Sequence, residues 1–216
     1  VIKHVQLPER QQHPRGWNTP LGHQRKIKSY QVETQWYQMY SQNSKARLPD
    51  CLAIEQHAGE VLILLEDLND AGYSLRKQSV KWIDVVSCLD WLAKFHASYL
   101  EMTPTGLWKV GTYWHLATRP SELAALNDLP LKNSAAAIDQ HLNTCQFQTL
   151  IHGDAKLANF CFAPDGRVAG LDFQYVGGGC GMKDVAYFVG SCLQEEDCER
   201  LESKILDTYF GYLEAA

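Results

Sequence analysis

Four side chains in one short stretch carry the chemistry of this sequence. From residue 151 the chain reads Ile-His-Gly-Asp-Ala-Lys-Leu-Ala-Asn, and at 171–174 it reads Leu-Asp-Phe-Gln. Asp154, Lys156, Asn159 and Asp172 thus fall in an order that suits phosphoryl transfer. In that chemistry one carboxylate orients a hydroxyl, an amide oxygen and a second carboxylate hold Mg²⁺, and a lysine faces the moving phosphoryl group. Asp154 takes the first role, Asn159 and Asp172 the metal, and Lys156 the phosphoryl group. Mg²⁺ takes oxygen ligands and keeps several waters, so two protein oxygens plus nucleotide phosphates complete a site.

A strand, a loop and a hairpin must position these groups. Leu150 and Ile151 end a short apolar strand, and His152-Gly153 is a turn signal that puts Asp154 in a loop. Asn159 lies far enough on for the loop to curl and bring both side chains to one mouth. Phe160-Cys161-Phe162 is strand-like, and Ala163-Pro164-Asp165-Gly166 is a turn in which proline presets φ and glycine accepts positive φ. The return through Val168, Gly170 and Leu171 carries Asp172 back beside Asn159. Asp and Asn also favour turns for local hydrogen-bonding reasons. Four chemically distinct positions agreeing around one hairpin favour a site over four unrelated turns.

The order His-Gly-Asp-x-x-x-x-Asn followed by hydrophobic-Asp-Phe resembles the aminoglycoside phosphotransferase and choline kinase-like superfamily. Asp-Phe-Gln and the later Lys183-Asp184-Val185-Ala186-Tyr187-Phe188 resemble its ecdysteroid kinase-like branch. The catalytic part of the resemblance covers about residues 150–189. It implies an α+β, two-lobed protein-kinase-like fold. Residues 1–70 would form a small sheet-plus-helix N-terminal lobe and residues 71–216 a mainly helical C-terminal catalytic lobe. It implies ATP and Mg²⁺ as cofactors and the hydroxyl of a small molecule, an amino-alcohol or aminoglycoside-like compound, as acceptor. A strand lysine that holds the nucleotide phosphates and a helical glutamate that fixes it would be Lys3 and Glu33. The hinge would be Leu64-Leu65-Glu66-Asp67-Leu68, with backbone groups of Glu66 and Leu68 on the adenine edge.

Departures from the pattern carry expectations too. Protein kinases have His-Arg-Asp where this chain has His-Gly-Asp, which favours a small acceptor over a protein. The superfamily places two strands and a phosphate-covering loop before its lysine strand, whereas this chain opens on that strand, so the N-terminal lobe is expected to be incomplete. Gly177-Gly178-Gly179 is no substitute, because it follows the metal aspartate without a Walker pattern. The missing cover favours the alternative of a nucleotide-binding pseudokinase or scaffold, against which Asp154, Asn159 and Asp172 all stand.

Other residues have secondary readings. Gln174, Tyr175 and the glycines up to Gly181 are placed to line an acceptor pocket. Trp108, Tyr113 and Trp114 offer either an aromatic wall for a cation or ordinary packing. The acidic run Glu195, Glu196, Asp197, Glu199 and Glu202 is either a polycation surface or a solvated helix face. Leu92-Ala93-Lys94-Phe95-His96 resembles the helix before the catalytic loop, with His96 packing or hydrogen-bonding there. His152 braces the loop, and Asp184 is expected to cap a helix starting near Val185.

Composition narrows the class. Hydrophobic residues make up 45% and charged residues 21% of the 216 positions, which suits a globular fold. The net charge of -5 and the lack of a basic patch argue against nucleic acid. No apolar run is long enough to span a bilayer, and no signal-peptide pattern opens the chain. Seven cysteines, an odd number without a Cys-x-x-Cys pair, argue against zinc or a disulfide framework and suit a reducing cytoplasm. Periodicity predicts a strand at residues 1–5, a polar loop over 6–19, a helix over 23–40 and strands at 52–56 and 61–65. The second of those strands is apolar enough to be buried on both faces. Helices are predicted over 81–100, 121–126, 135–142, 183–193 and 195–213.

Overall fold

The computed structural model describes residues 1–6, 20–57 and 59–216. The chain begins with strand β1 (Ile2–Gln6), then helix α1 (Pro20–Met39) and strands β2 (Cys51–His57) and β3 (Glu60–Leu65). The three strands form one antiparallel sheet in the order β1-β3-β2. Lys3 sits opposite Ile63, and Ile2 opposite Leu64. Successive strand residues point to opposite faces, and here only one face is covered. Ile63 joins Val32, Trp36 and Tyr37 of α1 in the core, whereas Ile2, Leu62 and Leu64 are exposed. The expectation that residues 61–65 are buried on both faces is therefore corrected. A continuous apolar run reports composition, and no second layer covers the outer face among the described residues. The predicted loop over 6–19 lies outside the described residues except for Gln6, which ends β1.

The rest of the chain is mainly helical. Helix α2 (Trp82–Ser98) starts where the Asp84 carboxylate accepts the Lys81 amide at 2.9 Å and buries Val85, Cys88, Leu89, Leu92 and Phe95 along one stripe. Helices α3 (Pro120–Ala125) and α4 (Leu129–Thr144) follow. The latter starts earlier than the predicted 135, because Asp128 caps it by accepting the Leu131 amide at 2.9 Å and a proline follows at the second helical position. Two small antiparallel pairs come next: β4 (Thr149–Ile151) with β7 (Gly177–Gly179), and β5 (Phe160–Phe162) with β6 (Val168–Gly170). Helices α5 (Met182–Cys192) and α6 (Glu195–Ala215) complete the chain, with α6 packed on α2.

One hydrophobic core joins α1, β3, α2, the β4–β6 region and α6. Its centre is aromatic. Trp36 of α1 stacks on Phe173 at 5.0 Å between centroids, and Phe173 lies 4.9 Å from the His152 ring. Phe95 of α2 and Tyr99 just past its end close the group around Trp36. Such rings dominate core energetics because each buries a large area and packs with specific geometry. Among the described residues no helix is long and apolar enough to cross a membrane.

Candidate active site

The loop after β4 is held from below. Buried Asp184, the third residue of α5, accepts the backbone amides of His152 at 2.5 Å and Gly153 at 2.9 Å. Its carboxylate also meets His96 Nε2 at 3.2 Å, and His96 Nδ1 meets the Tyr209 hydroxyl at 2.8 Å. Burial pushes the Asp184 carboxyl up, but His96 and the loop amides more than offset this and hold it below the usual carboxylate range. The expected capping role of Asp184 is corrected: α5 begins at Met182, and the Asp184 side chain turns inward to satisfy loop amides that would otherwise be orphaned. His96 and His152 are bracing residues, as expected. His152 Nε2 donates to the Leu171 carbonyl at 3.0 Å while its Nδ1 accepts the Asp154 amide at 3.2 Å. Gly153 has φ +80°, and a Cβ there would lie 2.2 Å from the Tyr175 carbonyl oxygen, so the loop requires glycine.

This frame presents Asp154, which is 4% exposed. Its Oδ2 accepts from Lys156 Nζ at 2.8 Å and from Asn159 Nδ2 at 3.0 Å, while its Oδ1 is buried with no hydrogen-bond partner among the described residues. Burial pulls the Lys156 ammonium down, yet the Asp154 carboxylate raises it above its ordinary value. Asn159 also donates to the Asp154 carbonyl at 2.7 Å, which leaves its amide oxygen as the free acceptor. The β5–β6 hairpin then returns as expected, and the Leu171 amide donates to the Asn159 carbonyl at 3.0 Å. Asp172, next in sequence, has φ +69° and a buried Oδ1 without a hydrogen bond among the described residues. A non-glycine residue in that region is held there by its surroundings, and such strain concentrates at functional sites.

The first sheet supplies a cation to the same place. Lys3 Nζ lies 2.5 Å from Glu33 Oε2 and 4.0 Å from Asp172 Oδ1. Burial pushes the Glu33 carboxyl up from its ordinary value, against the pull of Lys3. A cleft of about 420 Å³ is lined by Lys3, Glu33, Leu65, Glu66, Leu68 and Asp172, among others. Both Glu66 carboxylate oxygens accept from the single Arg47 Nη2, at 2.7 and 2.6 Å, and the Glu66 amide donates to the Asp50 carbonyl. The Leu68 carbonyl accepts the Tyr73 amide. The Glu66 carbonyl and the Leu68 amide take no part in these bonds.

Among the described residues no group of three or more His, Cys, Asp and Glu is placed to hold a metal. The unpartnered Asp172 Oδ1 and the Asn159 amide oxygen fit an ion that takes few protein oxygens and fills its shell with phosphates and water, as Mg²⁺ does.

The secondary readings separate. Gly177–Gly179 form β7, and a Cβ on Gly177 would lie 2.2 Å from the Trp108 carbonyl oxygen, so this glycine permits close packing. Trp108 packs its indole on Tyr175 at 6.2 Å and donates to the Gln174 carbonyl at 2.8 Å. The faces of Tyr113 and Trp114 carry the guanidinium of Arg119 at 4.7 and 4.6 Å. The acidic run opens α6, where negative charge suits a helix N-terminus. Sequence reasoning passed over Tyr187, whose hydroxyl is raised by burial and then by the nearby Asp154 carboxylate. It also passed over Arg25, which donates to the Tyr113 carbonyl at 3.0 Å.

The phosphotransferase enzyme family (APH) matches residues 23–216, a span that begins after Lys3. The structure is similar to that of aminoglycoside 2'-phosphotransferase-IIIa in its GDP complex, with a TM-score of 0.53 at 16% identity, covering 88% of this chain and 67% of that one. It is similar to aminoglycoside phosphotransferase APH(3'')-Id from Streptomyces rimosus in complex with ADP and streptomycin, with a TM-score of 0.56 at 15% identity, covering 85% of this chain and 76% of that one. The macrolide 2'-phosphotransferase MphH from Brachybacterium faecium gives a TM-score of 0.53 at 14% identity, covering 86% of this chain and 65% of that one. No curated protein matches the sequence. At these identities the likeness establishes the fold, the two-lobed protein-kinase-like one.

Proposed function

This chain belongs to the phosphotransferase enzyme family, and on that premise we propose that it transfers the γ-phosphate of ATP to a hydroxyl of a small molecule. The observation that carries the reading is the state of Asp154. One carboxylate oxygen is fixed by Lys156 and Asn159, and the other is buried and free. A carboxylate held in that way is aimed, so its free oxygen is placed to accept the proton of an incoming hydroxyl. Lys156 keeps its positive charge beside the same carboxylate, where it lowers the energy of charge building on the phosphoryl oxygens. Glu33 pins Lys3 for the nucleotide phosphates, and the Glu66 carbonyl and Leu68 amide are left for the adenine edge. Asn159 and Asp172 would hold Mg²⁺, which supplies charge neutralisation on the phosphate oxygens when bound.

The lobe boundary near residue 70 belongs to the same proposal. So does a cytoplasmic setting, in keeping with seven free cysteines. The solved neighbours include an aminoglycoside phosphotransferase with GDP, another with ADP and streptomycin, and a macrolide 2'-phosphotransferase, which supports a nucleotide and a small acceptor here. Replacing Asp154 by Asn tests the reading. Transfer to an alcohol should fall by about 10²–10⁴-fold while ATP still stabilises the protein against heat. Unchanged turnover would refute the role of Asp154. ATP stabilisation of the unaltered protein without turnover of any alcohol would favour a pseudokinase or scaffold.

A further inference from the structure

Resting on that transferase reading, we infer that the acceptor alcohol carries an oxyanion, a carboxylate or a phosphate, which Arg25 and Arg119 bind beside the Asp154 loop. A cleft of about 240 Å³ is lined by Arg25, Trp108, Lys109, Thr112, His115 and Thr118. It abuts the catalytic loop directly. The Tyr113 amide donates to the Gly153 carbonyl at 2.7 Å, and a Cβ on Gly153 would lie 2.9 Å from the Thr112 nitrogen.

The two arginines come from distant parts of the chain, Arg25 from α1 and Arg119 from the residue before α3. They share the Tyr113 ring, at 6.0 and 4.7 Å from its centroid. Arg119 meets one carboxylate, that of Glu122 at 3.2 Å, and Arg25 has no carboxylate in ion-pair range among the described residues. The Nε of each is buried without a hydrogen bond among the described residues. Burial, and next the neighbouring Arg119 charge, pull Arg25 below its ordinary proton affinity. Neighbouring guanidiniums with one carboxylate between them are unfavourable alone and become favourable around an oxyanion, whose geometry their planar forks match.

The same arrangement disfavours a cationic acceptor. The aromatic faces that would receive an ammonium already hold Arg119. The cluster adjoins the Asp154 loop, since Thr112 lines the cleft and the Tyr113 amide is bonded to Gly153, the residue before Asp154. An alcohol anchored by its anion at the arginines can therefore turn its hydroxyl toward Asp154.

The test uses the full protein with ATP and Mg²⁺ and four alcohols of matched skeleton: glycerol, serinol, glycerate and glycerol 3-phosphate. ADP formation should be greatest with one of the two anions, and the better of them separates a carboxylate from a phosphate site. Arg119→Gln should raise the KM of that anion by about tenfold or more, with Arg119→Lys recovering part of the loss and the KM for ATP serving as the control for folding. Transfer to glycerol or serinol as good as to the anions would overturn the oxyanion site while leaving the transferase reading standing. So would a KM unmoved in Arg119→Gln. Glycerate or glycerol 3-phosphate binding, read by tryptophan fluorescence and lost in Arg119→Gln, without turnover of any of the four, would keep the site and remove the transferase reading. Neither binding nor turnover would overturn the site.

Discussion

Glu33 shows how a buried charge can serve function at a cost to stability. Its carboxylate is 2% exposed and its partner Lys3 is partly solvated, so burial outweighs the ion pair and raises the Glu33 carboxyl. A carboxyl raised in the folded state favours folding only while it is protonated. Its ionisation therefore penalises the folded state at neutral pH, and the penalty vanishes below the unfolded carboxyl range of about 4.3. Glu33→Gln should leave stability at pH 7 equal or higher, with any gain fading below about pH 4, while the KM for ATP rises about tenfold because Lys3 loses its anchor. Urea unfolding at several pH values and nucleotide kinetics check both halves; a large loss of stability at pH 7 would contradict the account. At this scale the nearness of Asn159 to Asp154 was legible because one short loop joins them, and the hairpin bonds the Leu171 amide, one residue before Asp172, to the Asn159 carbonyl. Arg25 and Arg119 were not legible. Only the path of the folded chain brings them to one tyrosine ring.

Helix α5 acts on the catalytic loop through a single side chain, Asp184. Removing it in Asp184→Ala leaves two loop amides and His96 without their acceptor, at a cost of about 3–5 kcal/mol. Asp184→Asn, which still offers one oxygen, should lose less. Because the Asp184 carboxyl is held low in the folded protein, its contribution is present above the unfolded value of about 3.9 and declines as pH falls toward the folded one. The stability gap between the native protein and Asp184→Ala should therefore be widest near neutrality and narrow below about pH 4. Chemical unfolding at pH 7, 5 and 3 measures it, and a gap independent of pH would mean that Asp184 acts by packing alone. Helices were readable where an apolar stripe recurs, as in α2. What the sequence hid were contacts: Asp184 in a helix-opening motif looks like a cap, and the glycine run of β7 looks like a loop. Close approach to Trp108 is what flattens that run against β4.

Across the whole molecule, the aromatic core ties the helix bearing Glu33 to the turn bearing Asp172. Phe173 follows Asp172 directly, stacks on Trp36, and meets Tyr37 edge-on at 5.9 Å, with both partners on α1. Its other side lies on Phe95 of α2 and the His152 ring. One fully buried ring thus packs against the helix that bears Glu33, the residue next to Asp172 and the His152 ring together. Phe173→Ala should cost about 3–5 kcal/mol through lost burial and the cavity left behind. Phe173→Leu, which keeps much of the volume, should cost less. If the ring also aligns the site, Phe173→Leu will fold and yet bind ATP more weakly than the native protein, by about tenfold, because Glu33 and Asp172 no longer share a fixed spacing. Thermal unfolding and ATP titration of the leucine variant separate the two effects. Native ATP affinity in a folded, destabilised Phe173→Leu protein would show that the core supports the fold without setting the site.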